Sequence, residues 1–335
     1  MATLDDLTLE IPRLWEKDWK SIVEESEGVE KQLFIFEAKG AHLLENINDF
    51  TATPERIAWL NIWSKTFSAI DSALTSLQSD SHYLLKVLSR VIFENKLHVL
   101  TIVETVLNIH QLKKSKHRIR ILATSETESW KEVQKRLCAY AAWGLWNDKQ
   151  LILEQLDPGR LDRVWDPNPV HEIVKDPGKR EVYETLFGPL KLETEAELLV
   201  QRRRQEKSLR KSEERLRDWL NDPKLIVWHE KLRNSYELKH RELTFFELLN
   251  ENEKTIRRKL KNLNLDFSYP LYKQGSMIIH GSTFEQFYYI NEMKLTPLFV
   301  MVADANESLS LRVGETCNHI FVWLYLLQKQ LWSDS

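Results

Sequence analysis

DSHYLLKVLSRVIFENKLHVLTIVETVLNIHQL, residues 80–112, is the stretch that decides the fold class. Leu84, Leu88, Val91, Ile92, Leu97, Leu100 and Val103 recur at helical spacing, which puts an apolar stripe along one side of a helix. Asp80 and Ser81 stand at its head as capping residues, and the pattern predicts one long helix ending near Leu112.

The same period continues on both sides. Upstream, Thr53-Pro54-Glu55 is a helix start: a capping hydroxyl, a proline in the first turn, then an acid at the positive end of the dipole. Ile57, Leu60, Phe67, Ile70 and Leu74 carry that helix to about Leu77. Leu14, Ile22, Leu33, Phe36, Leu43, Leu44 and Ile47 fit two earlier helices broken near Gly28. Downstream, KKSKHRIR (113–120) is a basic connection, and Thr124-Ser125-Glu126 opens a helix to about Leu156. Its middle, CAYAAWGLW (138–146), is apolar on nearly every side and reads as the centre of the core.

Residues 157–193 hold five prolines and three glycines, in phrases such as WDPNPV and KDPGKR, and read as an ordered excursion with short helical turns. A long charged helix follows over 194–220, expected to project from the bundle or to brace it, then helices over about 223–233 and 244–263. Another begins near Tyr269 with Pro270 in its first turn, and the last spans 308–331. Phe287 to Lys294 is the one short stretch that could pair as a strand. The expectation is an all-α multi-helix bundle with a Pro-rich excursion and a long charged helix. Its parts are 1–80, an N-terminal helical segment; 81–156, core helices; 157–193, the excursion; and 194–335, helices that complete the bundle.

Composition agrees. Of 335 residues, 42% are hydrophobic and 29% charged, and only nine Gly and ten Pro interrupt the chain. A net charge of −3 argues against a protein that coats nucleic acid generally, while leaving room for a local basic patch. Cys138 and Cys317 lie far apart in apolar helical stretches, so reduced core thiols and a cytoplasmic setting are expected. The acidic N-terminus does not look like a secretory signal, and no apolar run is long enough for a membrane span.

Three constellations carry chemistry. In LYKQGSMIIHGS (271–282), Tyr272, Ser276 and His280 recur every four residues and would stack on one helical stripe beside Met277, Ile278 and Ile279. His280 titrates near neutral pH and could act as acid or base, oriented by Ser276 and Tyr272; the same trio could equally be a buried hydrogen-bonded lock. Arg90 and Glu94 share a face of the 80–112 helix, either as a plain ion pair or as a guanidinium held for an anion. The third is QRRRQEKSLRKSEERLRDW (201–219), with eight Lys or Arg against three Glu before Asp218. It reads as a solvated spacer or as a phosphate-tracking surface led by Arg202, Arg203 and Arg204, joined by Arg257, Arg258, Lys259 and Lys261. Phosphate-binding Gly-rich loops, nucleophile elbows and HExxH pairs are absent, and the ten His show no metal-ligand spacing, so neither metal nor cofactor is expected.

LSRVIFENKLHVL followed far downstream by Tyr-x3-Ser-x3-His-Gly-Ser resembles an uncharacterised group of helical bacterial proteins over roughly residues 81–331. That group has a loose similarity to HEPN domains, helical bundles that often act as metal-independent ribonucleases in toxin and anti-phage systems. Their hallmark is an Arg, four to six intervening residues and a His on one helix, usually doubled across a dimer. Here Lys273, not Arg, stands six positions clear of His280, and a lysine lacks the planar guanidinium fork. The resemblance implies RNA cleavage by the 2′-hydroxyl, with His280 as acid or base and Lys273 or Arg90 stabilising the phosphorane. Two functions of different class are therefore expected: a ribonuclease-like effector, or a non-catalytic helical module that binds a partner protein, a second copy or nucleic acid.

Overall fold

The computed structural model describes residues 13–14, 17–47, 51–78, 82–106, 127–164, 175–187, 195–240, 242–250, 252, 255–262, 288–291, 294–297 and 303–332. Twelve helices appear among them, with two short hairpins, and the fold is an all-α multi-helix bundle. The helices are α1 (Trp19–Glu25), α2 (Gly28–Glu45), α3 (Pro54–Gln78), α4 (His82–Val103), α5 (Thr127–Gln155) and α6 (Pro158–Val164). They continue as α7 (Pro177–Phe187), α8 (Glu195–Leu220), α9 (Ile226–Lys239), α10 (Phe245–Leu249), α11 (Ile256–Asn262) and α12 (Ala303–Leu331). The hairpins are β1 (Arg13–Leu14) with β2 (Lys17–Asp18), and β3 (Tyr288–Asn291) with β4 (Lys294–Pro297), the latter antiparallel with Tyr288 opposite Pro297 and Asn291 opposite Lys294. β3 falls in the stretch that sequence singled out as strand-forming.

The chain divides into two compact units, residues 1–141 with 243–335 and residues 142–242, so the first boundary falls inside α5. In the first unit α2, α3, α4 and α12 pack together. α12 buries Val313, Cys317, Ile320, Phe321, Leu324 and Leu327, a seam repeating every three or four residues. α3 answers with Trp59, Ile62, Trp63, Phe67 and Ile70, and α4 with Leu85, Ile92, Val99 and Ile102. Two indoles tie the layers by hydrogen bonds: Trp59 Nε1 donates to the Leu324 carbonyl at 2.8 Å, and Trp63 Nε1 to the Gly40 carbonyl at 2.7 Å. α2 and α12 approach closely at two glycines: a methyl at Gly40 would lie 2.5 Å from the Phe321 ring, and one at Gly314 2.5 Å from Leu33. α2 and α3 thus share the core with α4 and α12, although sequence placed them in a segment of their own.

Local signals act as read at several termini. Thr53 Oγ1 accepts the Arg56 amide at 3.3 Å, capping α3, and Gly28 takes a φ of +57°, separating α1 from α2 where a β-carbon would be strained. Arg56 closes the far end of α12, donating Nη2 to the Leu331 carbonyl at 3.2 Å with its guanidinium 4.9 Å over Trp332. Several boundaries differ from expectation: Leu14 lies in β1, not in the first helix, and the helix expected over about 223–233 runs from Ile226 to Lys239. α4 stops at Val103 and turns through residues 104–106, with the Val106 amide bonding the Val103 carbonyl at 3.0 Å; residues 107–112 of the expected helix lie outside the described residues. The single helix expected over 244–263 is two. Asn250 adopts an extended backbone and its Oδ1 accepts the Asn252 amide at 3.0 Å, then Thr255 recaps α11 through the Arg258 amide at 3.2 Å.

The second unit holds the C-terminal half of α5 with α6, α7, α8 and α9. Trp146, Leu161, Leu220, Leu225, His229 and Leu232 are its buried residues of size. Trp146 lies 5.5 Å from the His229 ring and meets Tyr236 edge-on at 6.0 Å. Among the described residues no helix is long and apolar enough to cross a membrane.

Candidate functional site

Every residue of the 271–282 motif, including Tyr272, Lys273, Ser276 and His280, lies outside the described residues, as does the 113–120 connection. The other predicted residues are placed. On α4, Arg90 Nε meets Glu94 Oε1 at 3.1 Å with both side chains partly exposed, a one-turn pair that fits either reading of the two residues.

One further helical turn along α4, at i+8 from Arg90, stands His98. Its ring packs 5.2 Å from Phe246 and 5.5 Å from both Phe245 and Tyr140, leaving a minor part of the residue in contact with solvent. The Tyr140 hydroxyl accepts from Lys65 Nζ at 3.4 Å and donates to Asn61 Oδ1 at 3.3 Å. Burial, assisted by the Lys65 ammonium, lowers the His98 pKa to about 3, and burial pushes the Tyr140 phenol above its ordinary value. An imidazole held neutral in this way has no proton to give at neutral pH, so His98 is not an acid for catalysis.

His98 makes the fold acid-sensitive. Between its folded value of about 3 and its ordinary 6.5, the unfolded chain binds a proton that the folded chain does not. Its stability contribution is therefore complete above pH 6.5 and drains away as pH falls, at no more than ~1.4 kcal/mol per pH unit. Burial first, then Lys149 and Arg233, shifts His229 in the same direction. His98→Phe should flatten the acid limb by about one proton, read from urea midpoints between pH 7 and pH 4; an unchanged slope would mean the ring is solvated.

At the C-terminal end of α4 sits a charge cluster that sequence reading missed. Glu104 Oε2 takes Lys259 Nζ of α11 at 3.0 Å, and its Oε1 pairs with Arg136 Nη1 of α5. Arg136 also donates to the Thr101 carbonyl at 2.6 Å and, through Nε, to Glu132 Oε1 at 3.1 Å. A cation on the last carbonyls of α4 complements the negative end of its dipole. Lys259 is only 2% exposed and belongs to this cluster, not to the phosphate surface for which the sequence suggested it. The cluster is closed and locks α4, α5 and α11 together.

The basic helix is solvated, as its near-lack of apolar residues required. On α8, Arg203, Arg204, Lys207, Arg210, Lys211, Arg215 and Arg217 are exposed and Arg202 is half-buried. Arg203, Lys207, Lys211 and Arg215 follow one another every four residues. They form one stripe with ~6 Å of axial rise per step and ~18 Å in all. None of these four has an ion pair among the described residues, whereas Arg210 is held by Glu206 at 2.7 Å. From Gln201 to Ser212 the helix carries six Lys or Arg and one Glu. Sequence reading took the whole 201–219 helix as a possible phosphate-tracking surface and singled out Arg202–Arg204; the four-residue register of Arg203, Lys207, Lys211 and Arg215 went unnoticed. Arg257 and Arg258 are exposed on α11, in the other unit.

Compared with protein-family models, with curated proteins and with solved structures, the chain matches none.

Proposed function

We propose that this protein is a helical RNA effector. The cation stripe of α8 holds the phosphodiester strand, and His280, oriented by Ser276 and Tyr272, serves metal-independent cleavage through the 2′-hydroxyl. The observation that carries the nucleic-acid reading is the stripe: four exposed cations in register on one face, unanswered by carboxylates on a helix that buries little. Nothing in core packing calls for such a face, and phosphate contacts supply the sequence-independent part of nucleic-acid affinity. Lys273, on the motif itself, is the cation assigned to the developing phosphorane charge. The toxin or anti-phage setting comes with the HEPN resemblance alone.

The second reading is a module that binds RNA without cutting it: the α8 stripe accounts for binding, while every residue of the His280 motif lies outside the described residues. Labelled single-stranded RNA mixed with the protein separates the readings on native and denaturing gels. Shifted and shortened RNA is the outcome expected of the effector. RNA that is shifted but intact would leave the binding module, and RNA neither shifted nor shortened would overturn both.

A further inference from the structure

The α8 stripe ends at a groove. Arg215, its last cation, lines a cleft of about 420 Å³ between α8 and the C-terminal half of α5, together with Asp148, Leu151, Ile152, Ser212 and Leu216. The volume falls in the range of pockets that take small organic groups. Leu151, Ile152 and Leu216 supply flat aliphatic walls, while Asp148 and Ser212 stand in the same cleft as polar groups. All six residues belong to the 142–242 unit. Leu151 is 52% exposed.

We infer that the groove receives an unpaired base of the strand whose phosphates the stripe holds, so the ligand is a single-stranded nucleic acid. This rests on the nucleic-acid reading of α8. An apolar cleft alone would name no occupant; one that opens at the end of a cationic track does, because a nucleotide strand presents an apolar, hydrogen-bonding base beside each charged phosphate. The Asp148 carboxylate accepts from an amino or imino N–H of a base, and the Ser212 hydroxyl can donate to or accept from the base edge. A duplex keeps those faces stacked and paired, and offers only phosphates to the stripe. The second cleft that Arg215 borders carries two carboxylates, Asp218 and Asp222, with Trp219 and Asn221, against the single carboxylate of the α5–α8 groove, so the groove is the less repulsive continuation.

Fluorescence anisotropy with a labelled single strand, as RNA and as DNA, and with an RNA duplex of equal length tests this. Leu151→Glu places a carboxylate in the groove at an exposed position, and Leu153→Glu, 42% exposed but outside the groove, adds the same charge to the same helix. The expected result is roughly tenfold weaker single-strand binding for L151E, as a carboxylate replaces an apolar wall of the groove, with L153E and duplex binding near wild type. Loss in the RNA arm alone would assign the groove to RNA; loss in both arms, to unpaired bases of either sugar. Equal weakening by both variants, or duplex binding as tight as single-strand binding, would overturn the groove while leaving the stripe. Absence of binding to every polyanion would instead overturn the reading of α8 itself.

Discussion

Glu104→Gln should cost the first unit about 3–5 kcal/mol, the scale of breaking a buried ion pair from one side. The substitution keeps the shape of the side chain and removes the charge that answers both Lys259 and Arg136. Arg136 retains Glu132 and the Thr101 carbonyl, so most of the penalty falls on Lys259, which is almost fully enclosed. The mirror-image change should be gentler. Lys259→Met leaves Glu104 with Arg136 and swaps a buried ammonium for an apolar chain of similar reach, which is often close to neutral. In a thermal melt, E104Q should lower the midpoint of the unit by roughly 10 °C and K259M by much less. Equal losses from the two would mean that the cluster is hydrated rather than buried.

His280→Ala should slow RNA strand cleavage by roughly 10²- to 10⁴-fold, the contribution of one positioned acid or base. An ordinary imidazole, with a pKa near 6.5, can take the proton of the 2′-hydroxyl or return one to the leaving oxygen at neutral pH. Among the described residues His98 is a poor substitute, since burial among Tyr140, Phe245 and Phe246 lowers its basicity far below that of an ordinary imidazole. Lys273 lies seven residues before His280, two turns on a helix, so a cation and an imidazole would share one face. Affinity for uncleaved RNA should stay at the wild-type level, because the stripe is untouched. The rate of product formation under single turnover reads the effect, and an H280A protein that cuts at the wild-type rate would remove His280 from the mechanism.

The sequence made the fold legible wherever the signal was local. Thr53-Pro54 and Gly28 mark helix boundaries because capping and positive φ depend on the residue itself. The seam of α12 was visible in its period. The break between α10 and α11 was not, because residues 244–263 keep a helical rhythm through Asn250, and only the side chain's competition for the backbone ends the helix there. The Glu104 cluster was out of reach for another reason. Its partners stand 32 and 155 residues away, and Lys259 sits in RRKLK, a basic run that reads as solvated until the turn of α11 sends Lys259 and Leu260 inward and Arg257 and Arg258 outward. The α8 stripe lay between these extremes: its charge was plain in the composition, but its register became clear only once the helix and its exposure were known.

The salt dependence of single-stranded RNA binding tests the role of α8 most directly. Four phosphate contacts along Arg203, Lys207, Lys211 and Arg215 predict that log K falls against log salt with a slope of about −3. In the quadruple charge-reversal variant, R203E/K207E/K211E/R215E, binding should vanish. A wild-type affinity that ignores salt, or one that survives the reversal, would contradict the account.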